Sequence, residues 1–251
     1  MLLNIENLVV SYGAIQALQG VSLSIARGEM VALIGGNGAG KTTLLRTISG
    51  LLRPISGTIQ FDPGKNGSTA DSESVAQLQS LPPHEIVRRG ISHAPEGRQV
   101  FSNLTVYENL QLGAYQSTNR KQIGDDLTHC FNLFPILLER QHQKAGTLSG
   151  GEQQMLAIAR ALVGNPSVIL MDEPSEGLAP VIVEELARAI KRLASAEGLT
   201  LVVVEQNTRL ALDISPRTVV LDRGRVVYDG ASDVLRADPA KLEQLIGVGK
   251  R

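Results

Sequence analysis

Short apolar runs alternate with longer amphipathic stretches along the chain. Met30–Ile34, Ser167–Met171, Thr200–Val204 and Thr218–Leu221 are dominated by apolar residues. Several of these runs are apolar at successive positions, so both faces must be covered; that pattern predicts a parallel sheet between helices. After Pro180, the segment VIVEELARAIKRL places Ile182, Leu186, Ile190 and Leu193 on one stripe. Glu184, Glu185, Arg188, Lys191 and Arg192 fall elsewhere, which predicts a helix with proline in its first turn. The first 30 residues differ: LNIENLVVSYG and VSLSIARGEM predict short antiparallel strands. From Tyr107 to Val163 the pattern is helical without a clear strand, predicting a helical subdomain inserted at about 97–163. Asp62–Ser80, rich in Gly, Ser, Asp and Gln, predicts an exposed loop insertion. The C-terminal KLEQLIGVGKR predicts a terminal helix and a frayed tail.

Composition narrows the function classes. The 251 residues suit a single α/β domain with subdomains. Lys and Arg (24) balance Asp and Glu (25), so no net positive field draws the chain to nucleic acid, and no such partner is expected. The single cysteine, Cys130, excludes an intramolecular disulfide and is expected to serve packing. No run approaches the roughly 20 apolar residues of a membrane span, so a membrane role must go through partners. MLLNIENLVV lacks a basic leader, and no signal peptide is expected. His84, His93, His129 and His142 show no metal-ligand spacing, and no structural metal is expected.

The chemistry enters after the first buried strand. Gly35, Gly36, Asn37, Gly38, Ala39, Gly40, Lys41 and Thr42 fit GxxxxGK[ST] between MVALI and the helical stretch TTLLRTISGLL, with Thr43 beside them. Glycines let successive N–H groups turn toward phosphate oxygens, and the helix N-terminus adds its dipole. Lys41 is expected at the β- and γ-phosphates and the Thr42 hydroxyl on Mg²⁺. A second strand ends in Asp172-Glu173-Pro174. Asp172 is expected to hold Mg²⁺, and Glu173 to polarise an attacking water. Leu148-Ser149-Gly150-Gly151-Glu152 opens QQMLAIARALVG, a helix start with a serine cap and free N–H groups.

These three ordered motifs resemble those of ATP-binding-cassette ATPases over essentially the whole chain, apart from the loop at 62–80. The resemblance implies a P-loop (RecA-like) α/β core, an antiparallel β-subdomain and an inserted helical subdomain. It implies two cassettes sandwiching two ATP molecules, with Ser149, Gly150, Gly151 and Glu152 facing the ATP held by the partner. Tyr12, in VVSYGAIQAL, matches the residue that stacks on adenine in the family. Three positions depart from the commonest cassette: Glu96 replaces a glutamine, Gln206 a histidine, and Ala179 an aspartate. Glu96 then marks the loop that couples to membrane subunits.

APEGRQVFSNLTVYENL, LSGGEQQMLAIARAL, MDEPSEGLAP and VEQN together resemble the LivF-type ATP-binding subunits of bacterial branched-chain amino acid importers. By that likeness the chain hydrolyses ATP at the cytoplasmic face of the membrane, beside a second cassette in a heterodimer. Two membrane permease subunits and an extracytoplasmic solute-binding protein complete the importer. Cassettes of urea or amide importers, and a degenerate ATP-binding regulatory subunit, remain as alternatives. Because Gln206 cannot carry a histidine's charge and Glu96 brings a negative charge near phosphate, the two ATP sites are expected to be unequal.

Overall fold

A computed structural model describes residues 1–64, 75–117 and 119–247. The chain opens with a hairpin, β1 (Leu3–Tyr12) and β2 (Ile15–Ile25), followed by the wholly buried β3 (Met30–Ile34) and α1 (Lys41–Ile48). β4 (Ser56–Phe61), β5 (Ala76–Gln77), α2 (Pro83–Arg88) and β6 (Ile91–Ala94) follow. Next come α3 (Val106–Gly113), α4 (Arg120–Leu133), α5 (Pro135–Glu139) and α6 (Gly150–Leu162). β7 (Val168–Asp172), α7 (Pro180–Glu197), β8 (Thr200–Val204) and α8 (Thr208–Ile214) return to the core. β9 (Arg217–Asp222), β10 (Arg225–Ala231), α9 (Ser232–Ala237) and α10 (Pro239–Leu245) end it.

Two sheets form. One is antiparallel, in the order β2-β1-β4-β5; the other runs β10-β9-β3-β8-β7-β6. In the second, β9 through β6 are mutually parallel and β10 closes the edge antiparallel to β9. Side-chain alternation explains the doubly apolar runs. Val168 and Leu170 of β7, like Val202 and Val204 of β8, face the core shared with the antiparallel sheet and α1. Ile169 and Met171, like Leu201 and Val203, face a second core built with α3, α4, α6 and α7. β3, β7 and β8 therefore bury both faces, while the edge strand β6 keeps Ser92 and His93 partly exposed.

The four strands expected from apolar runs are present within a residue at either end, and the helix after Pro180 runs to Glu197. Gly198, at φ 64°, stops it in the left-handed conformation a side chain disfavours. Only helices and turns, with one isolated Thr105–Lys144 bridge, lie between β6 and β7 among the described residues. Cys130 is buried there against α6.

The exposed loop expected at 62–80 is corrected at its C-terminal end; residues 65–74 lie outside the described residues. Ala76 and Leu78 are buried, and β5 pairs with β4 through Gln60–Gln77 and Phe61–Ala76. The Gln79 side-chain oxygen accepts the Ile59 backbone N–H at 2.9 Å, extending the edge where backbone pairing stops. Polar composition signalled a loop because here a glutamine amide does the work of a strand. Of the C-terminal tail, α10 is present and residues 248–251 lie outside the described residues.

Candidate functional site

The site forms where the parallel strands end. β3 delivers residues 35–40 as a tight loop into α1. Gly35 sits so close to β9 that a Cβ there would overlap the Leu221 carbonyl oxygen. Gly40, at φ 105°, lies against the hairpin, where a Cβ would stand 2.7 Å from the Ala17 carbonyl oxygen and 2.8 Å from Leu18 Cδ2. Glycine is required at both places for sterics alone. The loop is thus clamped between two sheets before α1 begins.

Lys41, 5% exposed, folds back over this loop and donates from Nζ to the Gly35 carbonyl at 2.8 Å and the Gly36 carbonyl at 3.2 Å. Its ammonium is 4.0 Å from Glu173 Oε1. Burial pulls the Lys41 amine below its usual range, partly offset by Glu173, Asp172 and Glu96. Thr42 Oγ1 donates to Asp172 Oδ1 at 3.1 Å, joining the start of α1 to the end of β7. Burial pushes both Asp172 and Glu173 up, while Lys41 pulls Glu173 back. Glu173 holds φ 51°, an unusual conformation for a residue other than glycine, and donates its N–H to the Val204 carbonyl at 2.9 Å.

Gln206, just beyond β8, donates from Nε2 to Glu173 Oε2 at 2.5 Å. Glu96 follows β6 into the same space, and one carboxylate oxygen each from Glu96, Glu173 and Glu176 lie within 4.8 Å of one another. All the donors gathered here are oxygens, which suits a hard cation such as Mg²⁺ and no thiophilic metal. Tyr12, at the end of β1, is 47% exposed and approaches Thr43 Oγ1 through its hydroxyl at 3.5 Å. The fold therefore brings Tyr12, the phosphate loop, Asp172, Glu173, Glu96 and Gln206 together.

The third motif stands apart. Ser149 caps α6 in a reciprocal box: its Oγ accepts the Glu152 N–H at 3.3 Å, and Glu152 Oε2 accepts the Ser149 N–H at 2.7 Å. Gly151 is buried against Ile182 of α7, and Ser149 faces outward. Arg98 lays its guanidinium on Gly150. A Cβ there would stand 3.0 Å from both Nη atoms. The chain reaches this pose through consecutive left-handed residues: Gly97, Arg98 and Gln99 have φ 77°, 66° and 45°. Glu205 was unmarked in the sequence. It is 1% exposed and binds Ser175 twice, at 3.0 Å and 2.8 Å. A charged residue at the end of the apolar run TLVVV was its only signal.

The family model for ABC transporters matches residues 18–176, which spans all three motifs. The chain belongs to the ABC transporter family. It is 42% identical over 246 residues to a high-affinity branched-chain amino acid transport ATP-binding protein, BraG, of Pseudomonas aeruginosa, covering 98% of this chain and 100% of that one. A probable LivF of Archaeoglobus fulgidus is 36% identical over 244 residues, covering 97% and 98%. BraF, a second such protein of Pseudomonas aeruginosa, is 28% identical over 261 residues and covers 98% of both chains. Among solved structures, the ADP conformation of the cassette MJ1267 superposes with a TM-score of 0.82 at 27% identity, covering 99% of both chains. A dimeric post-hydrolysis state of the cassette MJ0796, bound to ADP and Pi, gives 0.78 at 27% identity over 92% of this chain and 98% of that one. This ABC cassette has no helix, among the described residues, long and apolar enough to cross a membrane.

Proposed function

We propose that this cassette binds and hydrolyses ATP to power import of branched-chain amino acids. The observation that carries the catalytic half is the bracketing of Glu173 by Gln206 at 2.5 Å and Lys41 at 4.0 Å, beside the Thr42–Asp172 contact. The loop at 35–40, with Thr43, wraps the phosphates through its N–H groups, and Tyr12 lies against adenine. Lys41 leaves its own loop's carbonyls and turns to the β- and γ-oxygens, where its charge is worth most as the bond breaks. Thr42 and Asp172 would hold Mg²⁺, which would supply positive charge against the phosphates. Glu173 orients the attacking water and takes its proton; its raised proton affinity suits that task. Gln206 keeps the Glu173 carboxylate aimed by donating to one oxygen.

Ser149, Gly150, Gly151 and Glu152 serve the ATP of a second cassette. The existence of BraG and BraF in one organism supports a heterodimer. The helical segment at about 97–163 forms the subdomain that meets two membrane permease subunits, with Glu96 in the loop linking it to the ATP. An extracytoplasmic solute-binding protein delivers the amino acid, and the cassette works at the cytoplasmic face of the membrane. With glutamine at 206 and a carboxylate at 96, this chain's own site is the slower of the two. Glu173→Gln then leaves residual ATPase in the assembled transporter; complete loss would reverse that assignment.

The substrate rests on full-length likeness to BraG and LivF, and a genetic experiment tests it. Cells lacking this chain are expected to lose uptake of labelled leucine, isoleucine and valine. The wild-type gene restores it and Lys41→Ala does not. Loss of urea uptake alone would replace the substrate and keep the ATPase.

A further inference from the structure

Glu205 is a buried carboxylate that the mechanism above does not use. It is 1% exposed at the end of β8, immediately before Gln206. A carboxylate so placed costs several kcal/mol unless hydrogen bonds replace its water. Three do: the Ser175 N–H at 3.0 Å, the Ser175 hydroxyl at 2.8 Å, and the backbone of Asn207.

The partners make a closed figure. Ser175 lies two residues after Glu173, and Gln206 follows Glu205. Glu173 donates its N–H to the Val204 carbonyl at 2.9 Å, and Gln206 donates to the Glu173 carboxylate at 2.5 Å. Segments 173–175 and 204–206 are therefore laced at both ends. Glu173 sits inside the figure at φ 51°, a conformation that persists only where the surroundings hold it. The same serine starts the turn 175–179 that leads into α7 at Pro180, so the figure also fixes how that turn leaves the sheet.

We propose that Glu205 is a positioning residue for ATP hydrolysis: by gripping Ser175 it holds Glu173 and Gln206 in register with each other. The proposal rests on the reading that Glu173 and Gln206 serve hydrolysis. A carboxylate is suited to the grip because both its oxygens accept, one from the amide and one from the hydroxyl. Glutamine retains the shape and gives up one acceptor. Ser175→Ala removes the hydroxyl alone, and Ser175→Thr keeps it. Among the described residues the Glu205 and Ser175 side chains bond each other and not the phosphate loop, so ATP binding is expected to be kept while the chemical step suffers. Misplacement of a reacting group by about 1 Å costs up to about 100-fold in rate.

The test has two readouts on the full chain. In a transporter whose second cassette carries an inactivated ATP site, so that only this chain's site turns over, Glu205→Gln is expected to lower kcat about tenfold with KM for ATP within about twofold of the Glu205 form. The double variant with Ser175→Ala is expected to be no slower than Glu205→Gln alone, since both act through one bond pair. Ser175→Thr is expected to keep wild-type kcat. In the isolated chain, Glu205→Gln is expected to speed hydrogen exchange at the Ser175 amide while the amides of β3 keep their protection. Unchanged kcat, a matching rise in KM, multiplicative losses in the double variant, or an unchanged Ser175 amide would each overturn the grip. If the wild-type transporter binds ATP and never hydrolyses it, the function proposed above fails, and amide exchange alone decides whether Glu205 grips.

Discussion

The phosphate loop and the signature turn are both helix N-termini, and this chain treats them in opposite ways. At α1 the N-cap is Gly40, with no side-chain cap at all, and the space is closed by Lys41, Asp172 and Glu173 from the same chain. At α6 the Ser149 and Glu152 N–H groups are served by the Glu152 and Ser149 side chains, Gly150 and Gly151 stand outside that box, and the turn faces outward with Arg98 laid beside it. The first end leaves its N–H groups for a ligand and surrounds it with charge. The second closes two of its N–H groups with its own side chains, which holds the turn in shape. An uncapped helix start enclosed by charged groups is the better mark of a site complete within one chain.

The largest effect that would break this contrast lies at Gly35. Gly35→Ala drives a methyl into the Leu221 carbonyl, and a loss of about 3 kcal/mol or more in folding stability is expected by denaturant titration. Gly150→Ala meets only the far end of Arg98 and is expected to leave stability nearly unchanged. Equal losses at the two glycines would remove the distinction between a clamped loop and an open turn.

The helix behind the phosphate loop carries a pH signature. His93 of β6 is largely enclosed, and burial, reinforced by Arg46 of α1, pulls its imidazole down to about 4. Because the folded state resists the proton, stability is fully present above about pH 6.5 and is lost as pH falls toward 4. The loss expected at the bottom of that window is about 3 kcal/mol. His93→Gln should flatten this part of the stability profile measured by urea unfolding between pH 7 and 4. A profile as steep as wild type would place the acid sensitivity elsewhere.

Nucleotide affinity in the isolated chain sharpens the comparison. Lys41→Ala is expected to weaken ATP binding about 100-fold in a titration calorimeter. On the function proposed above, in which the signature turn serves a partner's nucleotide, Ser149→Ala should leave that affinity unchanged. Its effect is instead the loss of a cap, about 1 kcal/mol in thermal or denaturant unfolding. A drop in the isolated chain's ATP affinity on Ser149→Ala would show that the two ends already cooperate within one chain.

Much of the site was legible because its chemistry requires particular residues in a local order. GGNGAGKT, MDEP and LSGGE are contiguous, so the strand end, loop and helix start that each one needs are encoded side by side. Glu205 and Arg98 were not legible for the opposite reason. Their partners, Ser175 for one and Gly150 and Gly177 for the other, are distant in sequence, and neither carries a recognisable spacing. The error at Ala76–Ser80 has the same origin. Gln79 supports the sheet edge through a side chain whose polarity, in sequence, argued for solvent.

The sequence by itself determined the doubly buried strands, the helix after Pro180 and the three motifs at helix starts and a strand end. Those follow from period, sterics and local hydrogen bonding, which neighbours along the chain decide. Only the tertiary structure decided that Gln206 would aim Glu173, that Lys41 would rest on its own loop, and that Glu205 would close the figure beneath them. The Gln206 and Glu205 contacts join residues brought together because β8 lies beside β7 in the sheet, whereas Lys41 meets carbonyls only five and six residues back. Strand order is chosen by the packing of whole elements, and no window of the sequence contains it.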